Sequence, residues 1–319
     1  MSAPPRLALC IGDPAGIGPE IVLRALGNEA CPKAEWVVYG PLSVLAERSR
    51  RFELPEVAAV AAATVDVPGR PVALGAVSAE GGRLAAAAVL AAAADAKAGR
   101  IQGMVTAPLH KESLRAAGHP WPGHTELLAA ATGASDVAMM FVGGGLRVAL
   151  LTIHCPLRSV PDAITRAETE RIVRLVHREL PRLGAEGRRI AVCGVNPHAG
   201  ENGLFGREDQ EILKPAVEAL DAEGIEVEGP LPADTVFVRT LQGEFDAVVA
   251  AYHDQGLIPV KLLAFGRAVN VTLGLPFVRT SVDHGTAFDI AAAGRADPGS
   301  LLAAMALAVE LTSARAAAG

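Results

Sequence analysis

The sequence predicts an α/β protein built on mostly parallel sheets, with helices packed on both faces. Two observations carry this. Apolar runs of strand length alternate with longer helical patterns along the chain, as strand–helix–strand units require. Half of the 319 residues are hydrophobic, enough to core two ordinary α/β domains or one large one. No internal repeat or low-complexity linker interrupts the alternation, so composition marks domain boundaries poorly.

The elements follow in order. Arg6–Ile11 reads as a first strand, and a helix runs from Pro19 to Leu26, proline being suited to a first helical turn. Trp36–Tyr39 is a strand, Glu80–Ala98 a long alanine-rich helix and Gly103–Thr106 a short strand. Val137–Val142 and Arg147–Ile153 flank Gly143-Gly144-Gly145 as a hairpin. Arg166–Leu183 is an amphipathic helix, Arg189–Val195 a strand, Glu208–Glu223 a helix and Asp246–Tyr252 a strand. Asn270–Leu273 is the last strand and Pro298–Ala316 the closing helix.

Charge and composition exclude several classes. With 29 basic against 35 acidic residues the net charge is −6, which argues against nucleic acid or an anionic membrane as main partner. A local basic cluster still admits a small phosphorylated substrate. Aromatics are only 4%, too few for stacking platforms. The longest apolar stretches, such as Leu84–Ala94, are too short to span a bilayer. Met1–Arg6 has no basic segment leading into an apolar one, so no signal peptide is expected. Cys10, Cys31, Cys155 and Cys193 are scattered and read as free thiols of a cytoplasmic protein.

Three histidines follow apolar strands. Leu150-Leu151-Thr152-Ile153 runs into His154, Ala191-Val192-Cys193-Gly194-Val195-Asn196-Pro197 into His198, and Val248-Val249-Ala250-Ala251-Tyr252 into His253. Ligands of open α/β sheets bind at the carboxyl ends of strands. Three imidazoles gathered there would hold a divalent metal with positions left open for substrate. The alternative is three unrelated rings, each bonded to a nearby carbonyl; the absence of a short His-x-x-x-His spacing leaves both open.

Basic residues add a second pattern. Lys261 lies in the apolar segment Ile258–Leu263, either snorkelling or aimed into a cleft. Asn270 and Arg279 follow, and Lys, Arg and an amide together suit a phosphate or carboxylate. Gly123-His124-Thr125-Glu126 precedes a helix starting near Glu126, with Thr125 as its N-cap and free amides that attract anions. Gly12-Asp13-Pro14-Ala15-Gly16-Ile17-Gly18 joins a strand to a helix but lacks the G-x-G-x-x-G spacing. It is therefore a structural turn or a pocket wall rather than a Rossmann loop.

The segments "GDPAGIGPE", "GHTE", "CGVNPHAGENGLFGRED", "GPLPADT", "AYHDQG" and "VNVTLGLPFVRTSVDHGTAFDIA" resemble the 4-hydroxythreonine-4-phosphate dehydrogenase family over nearly the whole chain. The last of them also looks like the adenosine-binding loop of isocitrate and isopropylmalate dehydrogenases. The resemblance implies two α/β/α domains of isocitrate/isopropylmalate dehydrogenase type with the active site in the interdomain cleft. Residues 1–128 with 277–319 would form the cofactor-binding domain. Residues 129–276 would carry the metal ligands and the dimer interface. It implies a homodimer whose partner contributes to each active site.

By the same resemblance the metal ligands fall on His154, His198 and His253, and substrate contacts on His124, Thr125, Lys261, Asn270 and Arg279. His284, Gly285, Thr286 and Asp289 fall in the segment like the cofactor loop. The implied reaction is NAD- or NADP-dependent oxidation of 4-phosphooxy-L-threonine at its 3-hydroxyl, with decarboxylation to 3-amino-2-oxopropyl phosphate in pyridoxal phosphate (vitamin B6) biosynthesis. Zinc, magnesium, manganese or cobalt would serve as the one divalent ion per site, and Lys261 or Asp254 as general base. Retention of "GHTE" and "FVRTS" favours a phosphorylated substrate over a cis-dihydrodiol. The segment "HDQGLIPVKLLAFG" looks closer to relatives acting on 4-phospho-D-threonate or 4-phospho-D-erythronate. A non-redox phosphotransferase of the same fold and a metal-dependent hydrolase are the rival classes.

Overall fold

A computed structural model describes residues 3–185 and 187–318. Met1 and Ser2, part of the stretch read for a targeting signal, lie outside the described residues. The strands are β1 (Arg6–Cys10), β2 (Glu35–Gly40), β3 (Ala63–Asp66), β4 (Gly103–Thr106), β5 (Ala138–Gly143), β6 (Leu146–Leu150), β7 (Ile190–Cys193), β8 (Val227–Leu231), β9 (Ala247–Ala250), β10 (Val269–Leu273) and β11 (Val278–Ser281). Contacts divide the chain into two compact units, one up to Ser135 with Leu275 onward, the other Asp136–Gly274.

In the first unit the strand order is β3-β2-β1-β4-β11, every pair parallel. Leu7, Ala8, Leu9 and Cys10 of β1 are fully buried, as a parallel strand covered on both faces demands. The helix Ala79–Lys97 buries Leu84, Ala88, Val89 and Ala92. Its first turn is closed by Ser78, whose Oγ accepts from the Gly81 amide at 3.0 Å.

In the second unit the order is β10-β5-β6-β9-β7-β8. β5 runs antiparallel to β10 and β6, and the β6–β9, β9–β7 and β7–β8 pairs are parallel. Gly144 (φ 60°) and Gly145 (φ 83°) make the β5–β6 turn; two left-handed residues match the twist of a tight hairpin. The core of this unit packs Val148, Leu150, Ala191, Cys193, Val248 and Ala250 against Phe237, Leu257 and Val260.

Three sequence expectations change. Asn270–Leu273 is not the last strand, because Val278–Ser281 follows as β11; its Val-Arg-Thr-Ser composition hides it, although Arg279, Thr280 and Ser281 are all buried. The helix over Arg166–Leu183 ends at Glu179 and finishes as a 3-10 turn, Leu180–Leu183, where Pro181 removes a helical donor. A helix over His253–Ala264 was not anticipated. Among the described residues no helix is long and apolar enough to cross a membrane.

Candidate active site

β6, β9 and β7 are neighbours and run parallel, so their carboxyl ends share one edge of the second unit. His154, His253 and His198 each lie just beyond one of these ends. The rings of His154 and His253 stand 5.7 Å apart, centroid to centroid, tilted by 39°. Both line a cleft of about 310 Å³ with Thr152, Ile153, Tyr252 and Asp254. His253 opens the helix His253–Ala264, and its Nδ1 lies 2.7 Å from Asp254 Oδ1. A proton shared there leaves Nε2 as the free lone pair, the arrangement that orients a metal-ligating imidazole.

The donor chemistry fits a divalent cation. With metal–nitrogen bonds of about 2.0–2.1 Å, two imidazoles on one ion put their ring centres about 5–6 Å apart, which matches the observed pair. His198 does not join them within the chain. It is exposed and begins a left-handed run, His198 (φ 53°) to Asn202 (φ 55°), with its ring 6.3 Å from that of Phe205. Among the described residues no three His, Cys, Asp or Glu side chains gather closely enough to hold a metal.

The anion-binding candidates divide between the units. In the first, Arg279 of β11 is 2% exposed and donates from Nη2 to Thr106 Oγ1 of β4 at 2.7 Å. Burial lowers its pKa to about 10, which still leaves a cation at neutral pH. Burial, and then the nearby Arg279 charge, hold the His124 imidazole well below its usual range, so it is neutral. Its Nε2 is buried with no hydrogen-bond partner. Thr125 is not the N-cap: the helix begins at His124, capped by the extended backbone of Gly123 with no side-chain bond.

In the second unit, Asn270 sits on β10 opposite Phe141, and its Oδ1 is buried without a partner. Lys261 is half-buried on the helix His253–Ala264. Ile258, Leu262 and Phe265 lie at helical spacing around it and are 65%, 83% and 85% exposed.

The segment assigned to the cofactor belongs to the first unit. His284, Gly285 and Asp289 are exposed, and His284 Nδ1 lies 2.9 Å from the Gly285 carbonyl. Thr286 is buried, and its carbonyl accepts from the Ile17 amide at 3.0 Å. The Gly12–Gly18 loop therefore packs on this segment; a Cβ at Gly16 would come within 2.7 Å of the Thr286 oxygen. Sequence reasoning missed two neighbours. His110 stacks on Phe288 of this segment with centroids 4.6 Å apart. Asp13 is fully buried with Oδ1 on the Ala15 amide, and burial raises its pKa. Its place in "GDPAGIGPE" was the one signal available.

Parallel strands that end in histidines, on an α/β scaffold with helices on the sheet faces, are the architecture of an α/β enzyme. Residues 32–308 match the family of the pyridoxal phosphate biosynthetic protein PdxA. The chain is 48% identical to a 4-hydroxythreonine-4-phosphate dehydrogenase of Chromobacterium violaceum, the match covering 96% of this chain and 97% of that one. It is 46% identical to a D-threonate 4-phosphate dehydrogenase of Salmonella typhimurium, over 96% of this chain and 98% of the other. The crystal structure of a 4-hydroxythreonine-4-phosphate dehydrogenase from Klebsiella pneumoniae superposes with a TM-score of 0.90 at 42% identity, covering 98% and 99% of the two chains. The chain belongs to the PdxA family.

Proposed function

We propose that the protein oxidises 4-phosphooxy-L-threonine at its 3-hydroxyl, with NAD or NADP as hydride acceptor and one divalent metal ion per site. The reading is carried by His154 and His253, paired 5.7 Å apart at the ends of adjacent parallel strands, with His198 at the end of the next. The dehydrogenase names of its relatives support oxidation of a CH–OH group. A bound cation would polarise the substrate hydroxyl and steady charge on its oxygen, and the nicotinamide would take the hydride. The β-keto acid so formed loses carbon dioxide, giving 3-amino-2-oxopropyl phosphate.

The chain's own residues do the rest. His154, His198 and His253 are the assigned ligands. His124, Thr125, Lys261, Asn270 and Arg279 are the assigned substrate residues, the cations and the amide for the phosphate and carboxylate. A neutral His124 can accept or donate to the substrate without adding charge. Asp254, bonded to His253, and Lys261 are the candidate bases for the hydroxyl proton. His284, Gly285, Thr286 and Asp289 hold the dinucleotide.

The protein works as a homodimer, and the partner copy completes the metal site that one chain leaves at two rings. The exposed Ile258, Leu262 and Phe265 supply an apolar face for that contact. Four free cysteines are in keeping with the cytoplasm. The D-threonate 4-phosphate relatives and the "HDQGLIPVKLLAFG" segment favour 4-phospho-D-threonate as second substrate candidate. Purified protein with metal, NAD and each of 4-phosphooxy-L-threonine, 4-phospho-D-threonate and 4-phospho-D-erythronate should raise the reduced-nicotinamide absorbance most with the first. No rise with any of the three would overturn the assignment.

A further inference from the structure

We propose that Gln255 is a positioning residue that holds the His198-bearing and His253-bearing strand ends in register, and so sets where each ring is presented for metal binding. This rests on the metal-site reading above. β7 and β9 pair as Ile190↔Ala247, Ala191↔Val248 and Val192↔Val249, and the ladder stops there. Two residues further along, the backbones of Gly194 and Ala251 would face each other with no direct bond. Gln255 spans them. Its Oε1 accepts from the Ala251 amide at 2.6 Å and its Nε2 donates to the Gly194 carbonyl at 2.8 Å. The amide side chain stands in for the missing rung.

The chain of bonds continues on both sides. The Ala251 carbonyl accepts from the Thr152 amide at 3.2 Å and from Thr152 Oγ1 at 2.8 Å, and Thr152 is two residues before His154. Beyond Gly194, the fully buried Asp209 accepts from the amides of Val195 (2.7 Å) and Asn196 (3.2 Å) and from Asn196 Nδ2 (2.9 Å). That fixes the approach to His198. Gly194 must be glycine, because a Cβ there would meet Ala199 Cα at 2.8 Å and Asp209 Oδ1 at 2.9 Å. Gln255 is also the third residue of the helix that His253 opens, and Tyr252 offers that helix no side-chain cap. Its back-bond to the preceding amide therefore sets where the helix starts, and with it where His253 points. One side chain thus joins the three histidine-bearing ends into a row: Gly194, Gln255, Ala251, Thr152.

The test compares Gln255→Met, which keeps shape and loses both bonds, and Gln255→Glu, which keeps the acceptor and loses the donor. Zinc and cobalt affinity by chelator competition, the visible spectrum of the cobalt form and the apo-protein's melting temperature are measured on the full chain. Both variants should bind metal about 10–100-fold more weakly, the usual cost of losing a group that orients a ligand, with an altered cobalt spectrum; the apo-protein should melt somewhat lower in Gln255→Met, where both bonds are lost, than in Gln255→Glu. Wild-type affinity and spectrum in Gln255→Met, or in Gln255→Glu if the first does not fold, would overturn the proposal. His198→Ala and His253→Ala run in parallel. If these bind metal as well as wild type, the metal-site reading itself fails and takes the role of Gln255 with it. If they lose metal and the Gln255 variants do not, the role of Gln255 alone is wrong.

Discussion

The His154 and His253 rings come within 5.7 Å although 99 positions separate them in the chain, because the strands before them, β6 and β9, are parallel neighbours. Each ring lies past the last rung of its ladder, where backbone pairing no longer fixes the chain and side chains turn toward the cleft.

His154→Ala and His253→Ala should each weaken zinc or cobalt binding by at least about a hundredfold, since a lost ligand costs more than a lost supporting group. The fold should barely respond, because His154 is exposed and His253 only half-buried. Turnover should fall in step with metal occupancy. Undiminished metal binding in either variant would remove that ring from the site.

Much of this edge was legible in the sequence because parallel strands are apolar throughout and end abruptly at a polar residue. Ala247–Ala250 into His253 is such a case. The helix His253–Ala264 was not legible, because it is apolar on both faces. Leu257 and Val260 are buried while Ile258, Leu262 and Leu263 are exposed, and Gly256 and Pro259 add two breakers. β11 escaped for the opposite reason: it buries Arg279 and Thr280, so it does not look like a core strand. The departure of His198 from the other two rings was hidden, since left-handed backbone over non-glycine residues such as His198 and Glu201 leaves no compositional mark.

Arg279→Lys should raise KM for the phosphorylated substrate about 10–100-fold, the loss of one or two charged hydrogen bonds at about 1.5–3 kcal/mol each being partly recovered by the ammonium. NAD affinity should not change. A KM within twofold of wild type would show that Arg279 has a structural role, such as its bond to Thr106, and does not bind the substrate.

His124 makes the protein sensitive to acid. Its folded pKa lies well below its unfolded value of about 6.5, so the unfolded chain takes up a proton first. Its contribution to stability is complete above that value and is lost as pH falls from there toward the folded pKa. His177, depressed by burial and by Arg188, acts in the same direction. The denaturation midpoint of His124→Gln should therefore fall less than that of wild type as pH is lowered from neutrality. Parallel midpoint curves would show that His124 is not depressed. In Arg279→Lys the charge remains, so the His124 signal in a proton NMR titration should stay depressed; in Arg279→Gln it should rise, though burial keeps it low.

Leu262→Glu combined with Phe265→Glu should convert the proposed homodimer to monomer. Both side chains are more than four-fifths exposed in the isolated chain, so the folded protomer loses little, while a contact with a second copy gains buried charges. Analytical ultracentrifugation should report the protomer mass, and metal affinity should fall with it because one chain presents two of the three rings together. A dimer of unchanged strength would move the interface elsewhere.

The cofactor segment makes a sharper distinction between neighbours. His284 and Asp289 are exposed, whereas Thr286 is buried and tied to Ile17. His284→Ala and Asp289→Ala should each raise the Kd for NAD roughly 3–10-fold, the worth of one hydrogen bond of about 0.5–1.5 kcal/mol, and leave melting unchanged. Gly16→Ala should weaken NAD by a different route: its Cβ would push on the Thr286 carbonyl from 2.7 Å, so the melting temperature should drop as well. Fluorescence titration with NAD alongside thermal melts separates the two patterns. Unchanged NAD affinity in both exposed-residue variants would remove this segment from the dinucleotide site and turn attention to the stacked His110 and Phe288.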